Sequence, residues 1–195
     1  MNSGHFDAWR DAFGRYVEAP ERSELLKRAA VEAALRTWTN ELTTVVVKSC
    51  EAINWVASAR WNPTKRLPQA GKEYLGLDVT AFPGGQSPRW PFPVAVFELE
   101  NSPSDNRVAY SLWKVLCVRS TLRVVFAYRR DWDRSRKLVT SLANDVIGSL
   151  SLEERSRVSG QTIVVVGNRG EGETFPWGYF KFWNLNSNLG QFEKV

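Results

Sequence analysis

The chain has 195 residues, 43% of them hydrophobic and 24% charged, the balance of an ordinary globular protein and not of a disordered one. Its net charge of +5 and isoelectric point near 9.4 suit a polyanionic partner. The single histidine, His5, argues against Ser-His-Asp and Cys-His hydrolases, histidine-rich zinc sites and His-dependent nucleases, which leaves carboxylates, lysine and a hard metal ion as hydrolytic equipment.

Along the chain, Met1 to Asp7 show neither the basic cluster nor the apolar run of a signal peptide. Phe6 to Tyr16 and Glu21 to Trp38 read as helices, with Pro20 as the boundary and Leu25, Ala29, Glu32 and Leu35 following the helical period. Asn40 is the expected N-cap of a third helix running to about Ala57. Its β-branched centre, Thr43 to Val47, suits a strand as well, but Lys48 to Trp55 continues the helical pattern. Trp61 to Gln69 is a basic, proline-containing loop. Tyr74 to Phe82 reads as a strand, Pro83 to Pro88 as turns, and Val94 to Glu100 as a second strand, apolar until its end. Asn106 to Ser120 is a helix with Val108, Leu112, Val115 and Leu116 on one stripe, Leu122 to Tyr128 a strand, and Arg134 to Leu150 another large helix. Thr162 to Val166 and Tyr179 to Leu185 complete the sheet. Strands alternating with helices define an α/β fold, a mixed sheet with helices on its faces. A helical N-terminal extension, 1–38, is expected to precede a domain of 39–195, the whole forming one compact domain. The longest apolar stretches are strand-sized, so no membrane partner is expected. Cys50 and Cys117, in apolar surroundings, are expected as buried, reduced thiols of a cytoplasmic protein.

Three acids stand in unusual places. Glu98 and Glu100 end an apolar strand one residue apart, so they project to the same face while Leu99 points the other way. Like charges this close repel, the more so in dry surroundings, and a cation between them relieves the repulsion. Asp78 lies within Leu75 to Thr80, where aspartate has poor strand propensity. Adjacent hairpin strands bring it beside Glu98. Oxygen-only ligands of this kind select Mg²⁺ or Mn²⁺ over zinc, which equips a site for phosphodiester hydrolysis. Taken singly, a strand Asp more often marks a bulge or edge, and a terminal Glu-x-Glu pair more often faces solvent.

The order helix, Asp on one strand, Glu-x-(acid or Lys) on the next, then helix, over roughly Asn40 to Tyr128, resembles the catalytic core of the PD-(D/E)XK nuclease superfamily. The resemblance implies a restriction-endonuclease-like core and a Mg²⁺-dependent DNA endonuclease of a bacterial restriction, defence or mobile-element system. Asp78 matches the family aspartate and Glu98 the acid that follows it. The family lysine falls at position 100, where this chain has Glu100. Some members carry Glu-x-Glu there, and in others the lysine has migrated to the next helix, where Lys114 is the candidate. A lysine in that role stabilises developing phosphorane charge or orients the attacking water; otherwise it is a snorkelling surface lysine. The glutamate that many members place on the preceding helix is assigned to Glu51, with Glu41 as fallback. DNA is the implied partner, and a homodimer or a place in a defence complex follows from the family, with the N-terminal helices as candidate contacts.

Gly167 to Thr174 superficially resembles a phosphate-binding loop, but Glu173 stands where lysine is required and Phe175-Pro176-Trp177 does not open a helix. It reads as a flexible hairpin loop. Basic residues interleave with tryptophan at Arg60 to Arg66 and Arg129 to Lys137. Arg60, Lys65, Arg66, Arg129 and Arg130 are therefore candidate backbone contacts for nucleic acid, against a plain solvated-loop reading. The aromatic run Trp177 to Trp183 alternates as a strand with one face in the core. Two other functions stay open: a catalytically inactive nucleic-acid-binding or assembly module on the same fold, and a small-molecule metal hydrolase or nucleotidase using the same acids.

Overall fold

The computed structural model describes residues 4–69 and 73–195. A seven-stranded mixed sheet, with its strands in chain order, is flanked by helices on both faces. Three helices come first: α1 (Gly4–Glu18), α2 (Pro20–Val31) and α3 (Leu35–Ala52). Strands β1 (Trp55–Ala59), β2 (Val79–Pro83) and β3 (Ala95–Leu99) form an antiparallel meander. Helix α4 (Asp105–Leu116) then crosses over to β4 (Leu122–Arg129), parallel to β3, and α5 (Trp132–Leu142) with its π-helical continuation Ala143–Ile147 leads toward the next strand. After the short α6 (Leu152–Arg157), β5 (Gln161–Asn168) runs parallel to β4, and β6 (Phe180–Asn186) and β7 (Gln191–Lys194) close the sheet antiparallel.

The centre of the sheet follows from its sequence. Both β4 and β5 are near-continuous apolar runs, and a strand with parallel neighbours and helices on both faces needs two apolar faces. All of β4 is buried. Phe6, Trp9, Phe13 and Val17 recur at helical spacing and seat α1 on one face beside Leu42 and Val46 of α3; Trp9 meets Phe97 of β3 at 5.2 Å between ring centroids. Val108, Leu112, Leu138 and Leu142 bring α4 and α5 onto the other face, over Val96, Val125 and Val164. The apolar face of α1 is thus spent inside its own core, while Leu25 and Val31 of α2 and Leu35 at the start of α3 stay exposed.

Several expectations change. The β-branched centre of α3 is helical, as expected, because tertiary packing of Val45, Val46 and Val47 overrides weak propensity. The helix nevertheless starts at Leu35, not after Asn40, and stops at Ala52. Asn54 adopts a left-handed conformation (φ 62°) that turns the chain into β1. Trp55 to Ala57 are therefore strand, not helix. The strand expected from Tyr74 begins only at Val79, after a 3₁₀ turn over Tyr74–Gly76. The loop after β5 is an ordered 3₁₀ segment, Arg169–Thr174, in which Glu171 accepts from Asn168 and Trp132, each at 2.9 Å. Cys50 is buried, whereas Cys117 at the end of α4 is exposed. His5 packs in α1, with Nδ1 3.1 Å from the Thr121 hydroxyl. Among the described residues, no helix is long and apolar enough to cross a membrane.

Candidate active site and nucleic-acid interface

Antiparallel pairing of β2 with β3 sets the start of one strand against the end of the other. The register pairs Val79 with Phe97, so the preceding residue, Asp78, falls opposite Glu98. Successive backbone N–H groups along a strand point to opposite neighbours. Glu100 N–H donates to Phe126 of β4 (3.0 Å), so Leu99 N–H points toward β2, which has no residue in strand conformation at that level. Asp78 Oδ2 fills the gap, accepting from Leu99 N–H at 2.7 Å. Glu98 Oε1 in turn accepts from Asp78 N–H at 3.3 Å.

Alternation along β3 sends Phe97 and Leu99 to the α1–α3 face and Val96 to the α4 face. Glu98 follows Val96 and is only 5% exposed. Lys114, on α4, meets it there: Nζ lies 2.8 Å from Glu98 Oε2 and also donates to Gly76 O at 2.9 Å. Burial pushes the Glu98 carboxyl up to about 7; the Lys114 hydrogen bond opposes the shift and the charge on Asp78 adds to it. Burial likewise raises Asp78, against the pull of the Leu99 N–H and the Lys114 charge.

Asp78, Glu98 and Lys114 are therefore brought together, and the other two acids are not. Glu100 turns back to accept from Ser102 N–H at 2.7 Å. Among the described residues, no group of three or more histidine, cysteine or acidic side chains is arranged to share a metal ion, so the expected three-carboxylate cluster reduces to a pair. Glu51 is exposed at the C-terminal end of α3 and pairs with Lys48 at 2.7 Å. That end of α3 leads to Trp55, which faces Pro83, at the far end of β2 from Asp78. Glu41, the fallback, is ion-paired with Arg22 of α2.

Two clefts lie close by, the smaller lined by Asp78 and neither by Glu98 or Lys114. One, of about 350 Å³, is lined by Asp78, Glu73, Arg36, Thr39, Asn40, Thr43, Arg60 and Trp61. The other, of about 950 Å³, lies where the parallel strands β4 and β5 end, and is lined by Asn101, Tyr128, Arg129, Arg130, Arg134, Lys137 and Arg169 among others. Asn101 and Thr39 join the two linings, Asn101 Nδ2 donating to Thr39 Oγ1 at 2.6 Å. In open α/β sheets, ligands bind outside the carboxyl ends of parallel strands. The larger cleft has five cationic side chains against one acid, Asp105, which is already paired with Arg129.

Of the expected backbone contacts, Arg60, Arg129 and Arg130 line these clefts. Arg129 is a buried strut, donating to Tyr128 O at 2.6 Å as well as to Asp105. Lys65 is exposed but lines neither cleft. Arg66 donates to Pro83 O (2.8 Å) and Gly85 O (2.9 Å), toward the other end of β2. Arg169 lies in the segment that the sequence reads as a hairpin loop; the signal for it is its position just beyond an apolar strand parallel to β4. Arg129 pairs with Asn168 in that register, which sets Arg130 beside Arg169. The chain matches no family model, no curated protein and no solved structure.

Proposed function

We propose that this protein is a metal-dependent phosphodiesterase acting on DNA, built on a restriction-endonuclease-like core. The observation that carries the reading is the junction of Asp78 and Glu98 across the β2–β3 register, with the Lys114 ammonium 2.8 Å from Glu98, where Asp78 lines a cleft that adjoins a larger, strongly basic one. The element order α3–β1–β2–β3–α4–β4 supports it, as does a lysine delivered from α4 when position 100 is an acid.

Mg²⁺ keeps several waters and is commonly held by one or two carboxylates plus substrate phosphate. The donor set fits that requirement through Asp78 and Glu98 alone, and Asp78 lines the smaller cleft. An ion there supplies polarisation of a phosphoryl oxygen and acidification of a water. Lys114 holds positive charge beside Glu98, suited to a phosphate whose charge develops during displacement. Arg130, Lys137 and Arg169 hold the phosphodiester backbone.

The test is cleavage of circular DNA, both single-stranded and as plasmid duplex, with Mg²⁺ or Mn²⁺, with EDTA, and after Asp78→Ala or Glu98→Ala. Cleavage is expected with metal and lost in both variants; full activity in either refutes the assignment. A second reading, an inactive nucleic-acid-binding module, is favoured by one observation: Lys114 already neutralises Glu98. Under that reading Mn²⁺ gives no rise in melting temperature, whereas the phosphodiesterase reading requires a rise that disappears in Asp78→Asn.

A further inference from the structure

β1 ends in a tight turn. Ala59 N–H donates to Asn62 O (3.1 Å), Asn62 N–H to Ala59 O (2.9 Å), and the Asn62 side chain to Ala57 O (2.9 Å). Arg60 and Trp61 stand at its tip. Trp61 is 63% exposed, yet its position is fixed: Nε1 donates to Asn40 Oδ1 on α3 at 3.2 Å, and the Arg60 guanidinium lies 5.1 Å from its ring centroid. A large aromatic ring so mounted adds little to folding, because it buries little apolar area. It lines the cleft that Asp78 also lines, and that cleft adjoins the arginine-lined one through the Asn101–Thr39 hydrogen bond.

An exposed indole with guanidinium groups around it matches a nucleobase followed by its phosphate: the ring offers a stacking face and the cations hold the backbone. A base inside a duplex has both faces covered by its neighbours, so only an unpaired base presents one to Trp61. Resting on the nucleic-acid reading of the site, we propose that the strand passes Asp78 unpaired, with one base stacked on Trp61 and the adjoining phosphates in the cleft of Arg130, Lys137 and Arg169. The substrate class is then a single strand, or the unpaired arm of a branched or flapped nucleic acid.

The experiment is fluorescence anisotropy of the full chain in EDTA with labelled 12-nucleotide strands, DNA and RNA in separate arms, and the blunt duplex of the same sequence. The wild type is expected to bind at least one of the two strands about tenfold more tightly than the duplex. Trp61→Ala lowers strand affinity roughly tenfold and leaves duplex binding unchanged; Trp61→Phe retains most of the affinity. Arg130→Ala with Lys137→Ala weakens strand and duplex together and reduces the salt dependence by about two counterions. Because Trp61 is exposed, an unchanged melting temperature for Trp61→Ala shows that its fold is intact. Duplex binding as tight as strand binding, or Trp61→Ala binding strands as the wild type does, overturns the inference. A strand bound in the Trp61-dependent way but never cut with Mg²⁺ refutes the phosphodiesterase reading alone. Plasmid cleavage that needs Asp78, with strand affinity indifferent to Trp61, refutes this inference alone.

Discussion

Replacing Lys114 with methionine keeps most of the side chain's volume and removes the one cation among the described residues that reaches Glu98. The carboxylate stays behind, 5% exposed. Breaking a buried ion pair on one side costs about 3–5 kcal/mol. The Lys114 side chain is 24% exposed, and water reaching the pair lowers the expectation to about 2 kcal/mol at pH 8.5. At pH 6 the cost falls below about 1 kcal/mol, because a carboxyl already pushed up to about 7 takes a proton and escapes the penalty. Urea unfolding in EDTA, at both pH values, measures this in the wild type, Lys114→Met, Glu98→Gln and the double variant. The double variant should recover at least about 1 kcal/mol relative to Lys114→Met at pH 8.5, since a neutral amide needs no ammonium. An equal loss at the two pH values, or a cycle without coupling, would refute the view that Glu98 is a buried charge held by Lys114.

Glu98 also sets a pH trend in the metal-free protein. Its proton is held more tightly in the folded state, near 7 against an ordinary 4.5, so its contribution to stability is full below 4.5 and is lost as pH rises toward 7; melts in EDTA should show that fall in the wild type and a flatter profile in Glu98→Gln. Glu51→Ala and Glu100→Gln should each keep at least about half of any DNA-cleaving activity, because Glu51 lies at the far end of β2 and Glu100, bonded to Ser102 N–H, acts on Asp78 only through its charge; loss to background in either would return that acid to the site. Gly167→Ala should destabilise by about 1–3 kcal/mol in urea melts. A Cβ there would lie 2.7 Å from the Tyr128 and Tyr179 rings, so wild-type stability would show that those rings yield easily.

What the sequence made legible was decided by periodicity and by long apolar runs. β4, β5 and the stripe of α4 stand out because each buries whole faces, and burial is what patterning records. β1 did not stand out: Trp55 to Ala57 continue a helical pattern, and the break depends on a left-handed Asn54, which no periodicity encodes. β7, four mostly exposed residues at the sheet edge, buries too little to imprint a pattern. The Asp78–Glu98 neighbourhood was legible because hairpin order alone brings those strands together. The fate of Glu100 was not, because a side chain's bond to a backbone N–H two residues on is a loop detail. The place of Glu51 was hidden for a related reason. Its distance along the chain says nothing of which end of α3 faces Asp78, and that is fixed only by the turn at Asn54 and the register of β1 on β2.

The junction of Asp78 and Glu98 does structural service as well, tying the start of β2 to the end of β3 through Leu99 N–H and Asp78 N–H. That service does not require charge. An asparagine at position 78 and a glutamine at position 98 offer the same acceptor oxygens without the desolvation that drives both carboxyls upward. The fold instead carries two ionisable acids and then a lysine to offset one of them, which costs stability relative to neutral side chains. Departures from local consistency of this kind concentrate at functional sites. Under the proposed function, a divalent cation presented to a phosphate would use the charge of all three residues, whereas a tether uses only their hydrogen bonds.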